Sequence, residues 1–250
     1  MVNDLAAGRH VVGEQAWRDG FFLVEDLVGA GDCARYAARL GDYASGRLAA
    51  PDGIRLQREP ALDRSGEVRP DGGDIRKVDG LFHDDLLHGL ITSDQVLRFV
   101  RALVGEPPRL FRATALMKPA AVGSEKGQHQ DSPYWPIEPM SLWSCWIPFD
   151  DATTDNGCLT VVPGSHRRGA LPHVQTQDDF VVPAEHYDPA ALVPVPMRRG
   201  SALFFHSLLL HGSAANTSGD PRRAVTMSYM GPGHRYTGAP PVPDYPTFQA

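Results

Sequence analysis

The segment KGQHQDSPYWP, beginning at Lys126, places an imidazole and a carboxylate two residues apart, His129 and Asp131, with Tyr134 and Trp135 just behind. On a β-strand, residues i and i+2 project to the same side, so the pair could offer two ligand atoms to one metal ion. A lone His-x-Asp is common and needs a third ligand from another strand. His211, in LLLHGSAANTSGDPRR, stands where an apolar run breaks into a glycine-containing loop, and it is the best candidate. Two histidines and one carboxylate on one face of an octahedron leave three positions open. That arrangement suits non-haem Fe(II) carrying a bidentate co-substrate and O₂.

A 2-oxoglutarate co-substrate makes a further demand, because its far carboxylate needs a fixed cation. Arg222 opens the run RRAVTMSYM, eleven residues past His211. Its guanidinium is a two-pronged, permanently charged match to a carboxylate. Ser213, two residues past His211, could add a hydroxyl, and Arg223 would point to the opposite face of a regular strand.

The remaining candidates have simpler readings. His206 lies five residues before His211, so a continuous strand turns it to the other face, and it reads as structural. His166 and His234 sit in turn contexts, and His173 and His186 carry no partner pattern. Tyr134 and Trp135 could wall a substrate pocket or simply pack. Ser165 and His166 adjoin without an acidic orienter, which argues against nucleophilic catalysis.

The elements that must hold these residues change character along the chain. Apolar residues recur at Cys33, Tyr36, Ala37, Leu40 and Ala44, and again at Val96, Leu97, Val100, Leu103 and Val104, each the spacing of one helix face. Ser93 and Asp94 can cap the second helix, and Gly105 stops it. The polar, Gly- and Pro-rich stretch LAAPDGIRLQREPALDRSGEVRPDGGD between them predicts a long loop. From Arg109 onward, RLFRATALMKP, MSLWSCWIPFD, GCLTVVPGS, GSALFFHSLLLHG and RRAVTMSYM are short runs rich in β-branched and aromatic residues, bounded by turn formers. Such runs predict a sandwich or barrel.

Composition bounds the function. The 250 residues carry a net charge of −6, with 42% hydrophobic and 22% charged residues, so a nucleic-acid partner is not indicated. Cys33, Cys145 and Cys158 are scattered without a CxxC, which argues against a zinc ribbon or disulfide framework. No apolar run approaches the roughly 20 residues of a membrane span, and the N-terminus lacks the order of a signal peptide. A cytoplasmic protein is expected. Lysine occurs only at Lys77, Lys118 and Lys126, and this arginine bias suggests a GC-rich bacterial genome.

HQD, then NGCLTVVPGSH, then FFHSLLLHGSAANTS and RRA, together with IRKVDGLF from Ile75, resemble the phytanoyl-CoA dioxygenase family of Fe(II)/2-oxoglutarate oxygenases. The resemblance runs from Ile75 to Met230. It implies a mostly β fold with flanking helices, a double-stranded β-helix (jelly roll, cupin-like). One domain is expected over 1–250, with a helical N-terminal part to about residue 105, a jelly-roll core over about 106–232 and a proline-rich tail over 238–250. The resemblance implies iron ligands His129, Asp131 and His211, with Arg222 and Ser213 on the distal carboxylate of 2-oxoglutarate. Trp146 and Lys77 correspond to residues of the co-substrate pocket, and Thr114 and Gln130 to co-substrate contacts. The cofactors expected are Fe(II), 2-oxoglutarate and O₂.

Related halogenases replace the acidic ligand with a small residue. Asp131 is present, so hydroxylation of a small molecule is expected ahead of halogenation, with ring closure, desaturation and epimerisation as alternatives. A bacterial natural-product intermediate, as in antibiotic biosynthesis, is the expected substrate. Two other classes stay open: a zinc hydrolase, for which no HExxH or equivalent supplies a base, and a non-catalytic jelly-roll binding protein. Monomer and homodimer both remain open.

Overall fold

The structure, a computed structural model, describes residues 12–249. Part of the N-terminal segment read above for a leader, residues 1–11, lies outside them.

Two antiparallel sheets form the centre. The larger has seven strands, in the order β1 (Phe21–Val24), β12 (Ala202–His206), β7 (Trp143–Pro148), β14 (Arg222–Met230), β4 (Arg109–Lys118), β3 (Ile75–Asp79) and β2 (Arg55–Arg58). The smaller has four, in the order β11 (Val193–Val195), β8 (Leu159–Val161), β13 (His211–Ser213) and β5 (Lys126–His129). Two short antiparallel pairs, β9 (Val174–Gln175) with β10 (Phe180–Val181) and β6 (Ile137–Glu138) with β15 (Arg235–Tyr236), sit outside these sheets. This is the expected jelly roll.

Period-two alternation divides the large sheet into two faces. On β7 and β14, Trp143, Cys145, Ile147, Val225, Met227 and Tyr229 join one core with the helices. That core includes the buried faces of α2 (Ala30–Ala44), α4 (Asp85–Ile91) and α5 (Asp94–Val104). The opposite face turns Trp146, Leu203, Phe205 and Ala224 toward Leu159 and Val161 of the small sheet. The space between the sheets is therefore apolar at one end and free to carry polar groups elsewhere.

Helix α2 buries Cys33, Tyr36, Ala37, Leu40 and Tyr43, and α5 buries Val96, Leu97, Phe99, Val100 and Leu103. Ser93 is the N-cap of α5, yet its side chain makes no cap bond and its hydroxyl instead donates to the Leu90 carbonyl at 2.8 Å. The stretch expected to be a long loop contains β2 and the short helix α3 (Pro60–Ser65). Strand β2 pairs with β3, a long-range partnership that a four-residue polar run does not announce. The part of the chain before residue 105 is thus more than helical, since β1, β2 and β3 come from it and supply both edges of the large sheet. The proline-rich tail forms no long element, but Phe248 packs on the helical core and the Leu110 N–H donates to the Pro246 carbonyl at 2.9 Å.

Candidate active site

His129 ends β5 and His211 begins β13, and the two are direct register partners across the small sheet. Their ring centroids lie 4.2 Å apart. Each Nδ1 is 2.9 Å from a backbone carbonyl two residues earlier, Gly127 for His129 and Leu209 for His211. That bond places the proton on Nδ1 and leaves Nε2 as the free donor atom of both rings.

Asp131 reaches the same point by a different route from the one expected. The strand stops at His129, and Asp131 has helical backbone angles (φ −73°, ψ −47°) at the head of a short 3₁₀ turn, Ser132–Tyr134. Its N–H and that of Ser132 donate to the Ser207 carbonyl at 2.9 and 3.0 Å, and the Ser132 and Ser207 hydroxyls bond at 2.7 Å. Ser207 lies in the corner between β12 and β13. The corner that leads into His211 therefore also fixes Asp131. The carboxylate ends 3.7 Å from Nε2 of His129 and 4.0 Å from Nε2 of His211. These are the side chains whose ligand atoms gather within 4.8 Å of one another. Burial, with His211 and Lys126 nearby, holds the His129 imidazole well below its ordinary pKa, in the neutral form a metal requires.

His206 belongs to β12 of the large sheet and is separated from His211 by that corner, so the two are not on one continuous strand. Its Nδ1 accepts the Leu208 N–H at 3.1 Å, and its ring meets Trp143 and His166.

A cavity of about 270 Å³ runs between the sheets past the triad. Arg222, Ser213, Trp146 and Lys77 line it together with His129, Asp131 and His211. Arg222 is buried and sits 5.5 Å from the Trp146 ring. One nitrogen donates to the Leu116 carbonyl at 2.9 Å, while Nε has no partner and no acid lies within ion-pair distance among the described residues. Burial lowers its pKa to about 10, so it stays charged at neutral pH. Trp146 Nε1 and Thr226 Oγ1, of residues lining the same cavity, are likewise buried without partners among the described residues. Buried polar groups are rarely left unpaired. A buried guanidinium with free donors suits an anionic ligand of the cavity.

The model of the phytanoyl-CoA dioxygenase (PhyH) family matches residues 17–224. The chain belongs to that family. Its members are non-haem iron, 2-oxoglutarate-dependent oxygenases, and Fe(II), 2-oxoglutarate and O₂ are the family's cofactors. The peroxisomal phytanoyl-CoA dioxygenase of Mus musculus is 28% identical over 221 residues, covering 84% of this chain. The chain spans 65% of that relative's length. Among solved structures, the epimerase SnoN in complex with Fe3+, alpha ketoglutarate and nogalamycin RO superposes with a TM-score of 0.69 at 23% identity, covering 98% of this chain and 97% of its own. The carbocyclase SnoK from nogalamycin biosynthesis gives 0.72 at 18% identity, with 96% of each chain covered. At these identities the two structures establish the shared fold.

Within this phytanoyl-CoA dioxygenase fold, two residues expected to touch the co-substrate lie elsewhere. Gln130 follows the end of β5 and does not line the cavity. Its amide donates to the Gly169 and Leu208 carbonyls at 2.9 and 2.8 Å and accepts the Leu171 N–H at 2.7 Å. It pegs the metal turn to the loop after residue 168. Thr114 is buried but does not line the cavity; its hydroxyl donates to Asp79 at 2.8 Å. Asp79 also pairs with Lys77 at 2.9 Å.

Residues outside the expected metal and co-substrate set also contribute. His173 accepts the Gln130 N–H at 3.0 Å and stacks on Phe180, joining segments far apart in the chain. Lys118 is buried directly across the strand pair from Arg222, and burial with that neighbour lowers its pKa to about 7. Gln57 and Glu59, from the stretch read as a loop, also line the cavity. Tyr134 and Trp135 both reach its wall. Among the described residues no helix is long and apolar enough to cross a membrane.

Proposed function

We propose that the chain is an Fe(II)- and 2-oxoglutarate-dependent oxygenase that oxidises, by hydroxylation, an unactivated C–H bond of a small molecule. The observation that carries this reading is one cavity shared by a His–Asp–His cluster and a buried arginine that has no acid partner among the described residues.

In this reading His129, Asp131 and His211 hold the metal, with both imidazoles turned by their Nδ1–H bonds so that Nε2 faces it. Arg222 and Ser213 hold the distal carboxylate of 2-oxoglutarate, and Trp146 and Thr226 offer further polar contacts along the same wall. Iron, when bound, supplies the activation of O₂ and the redox chemistry that no side chain here can perform. Tyr134, Trp135 and Phe205 give the cavity an aromatic lining that keeps bulk water from the reacting carbon.

The substrate proposed is a natural-product intermediate of the antibiotic type, supported by the likeness to SnoN and SnoK and by the arginine-rich composition. Ring closure, desaturation or epimerisation on the same site is the second reading, since one of those neighbours is described as an epimerase and the other as a carbocyclase.

Anaerobic reconstitution with Fe(II) and 2-oxoglutarate tests the proposal. The expected result is a visible metal-to-ligand charge-transfer band, then succinate and CO₂ on admission of air. Zinc retention with substrate hydrolysis and no such band would mark a hydrolase instead.

A further inference from the structure

Resting on that function, we infer that the substrate carries a carboxylate held by Arg112, at the opposite end of the cavity from Arg222. The argument is one of position. Arg222 faces Lys118 at one end of the β14–β4 pair, and Ser228 faces Arg112 six residues further along β14. The Arg112 guanidinium folds back over Thr114, whose rung faces Thr226, so about 14 Å of strand separates it from the Arg222 rung. The short diacid anchored at Arg222 and chelated at the metal cannot span that distance. Arg112 is therefore left for another ligand.

Arg112 is also on the substrate side of the metal. Its rung continues across the large sheet through Ser228 and Ser144 to Phe205. The Phe205 ring lies 4.7 Å from the His211 ring. A molecule held at Arg112 thus extends over Ser228 toward the triad, against Trp135 on the wall of the same cavity.

The guanidinium is presented for this use. Nε and Nη2 donate to Thr114 Oγ1 at 3.3 and 3.0 Å, and that hydroxyl donates in turn to Asp79. Nη1 makes no hydrogen bond among the described residues. Asp79 pairs with Lys77 at 2.9 Å and stands 3.6 Å from Arg112, so it offsets one of the two cations. The group keeps a single net positive charge, which matches a monoanion such as a carboxylate better than a phosphate dianion. Thr114, which does not reach the cavity itself, acts as the positioning residue for Arg112.

The test uses full-length protein reconstituted anaerobically with Fe(II) and 2-oxoglutarate. Small monocarboxylic acids of graded size, each beside its own carboxamide, are titrated while the charge-transfer band is followed. In wild type the acids shift the band, and the amides do so at least about tenfold more weakly. Arg112→Gln loses the preference for acids, Arg112→Lys keeps part of it, and both bind 2-oxoglutarate as wild type does. The inference is overturned if acid and amide act alike, if no acid shifts the band, or if Arg112→Gln keeps the preference. Failure of the band to form before any acid is added would remove the proposed function itself, and this inference with it.

Discussion

His129 and His211 face one another as register partners across β5 and β13, ring centroids 4.2 Å apart, each with its Nδ1 tied to its own backbone. The imidazoles are aimed by the sheet and not by the metal. Because these backbone bonds orient both rings, the chemistry of the site should respond to side-chain changes without loss of the fold.

Asp131 is the first case. Among the described residues its side chain makes no hydrogen bond to the frame, and the turn is held through backbone contacts to Ser207. Asp131→Ala should fold normally, as judged by thermal unfolding. It should lower Fe(II) affinity and 2-oxoglutarate turnover by about 100-fold or more, measured by metal content and succinate release.

Arg222→Met should separate binding from stability. A buried charge without a counter-ion contributes little to stability, so the variant's melting temperature in the absence of ligand should hold or rise. Affinity for 2-oxoglutarate should fall by about 30-fold or more, measured by anaerobic calorimetry.

Lys118 makes the same binding event pH-linked. Its pKa is lowered to about 7 by burial and by Arg222, so at pH 8 the amine is mainly neutral. A carboxylate arriving at this end favours the charged form. Binding of 2-oxoglutarate at pH 8 should take up a proton, at most one. Calorimetry in buffers of different ionisation enthalpy measures it, and Lys118→Met should abolish it.

His206 should contribute to acid sensitivity. Burial, with His166 and His234 nearby, lowers its pKa to about 3, against about 6.5 in the unfolded chain. The unfolded state therefore takes the proton first, and stability is lost as pH falls from about 6.5 toward 3, by up to about 1.4 kcal/mol per pH unit. His206→Gln should flatten that slope in denaturant titrations at stepped pH.

Gly157 should not tolerate a side chain. Its φ is +83°, and an added Cβ would stand 2.5 Å from the Ala214 carbonyl and 2.7 Å from Cδ of Lys118. Gly157→Ala should cost about 1–3 kcal/mol, read from the denaturant midpoint.

Much of this site could be read from residue types and order. The spacing of His129 and Asp131, the break at His211 and the arginine opening a later strand all carried information. The mechanism of convergence did not, because it depends on Ser207 bonding the turn at Asp131, and serines of this kind have no pattern. Gln130 shows the same limit. The family resemblance implied co-substrate contact, whereas the turn after His129 carries its amide onto the Gly169 and Leu208 carbonyls. Strand β2 was hidden because RLQR has no apolar alternation and exists by pairing with β3.

Strand β1 shields β12 on one side of the large sheet, with the Gly20 carbonyl taking the His206 N–H, and β3 with β2 shields β4 on the other. A shortened version starting near residue 106 would strip both guards at once and offer two bare backbones to any neighbouring copy. Chimeras or minimal versions should be cut elsewhere, since β1, β2 and β3 complete the large sheet from before that point.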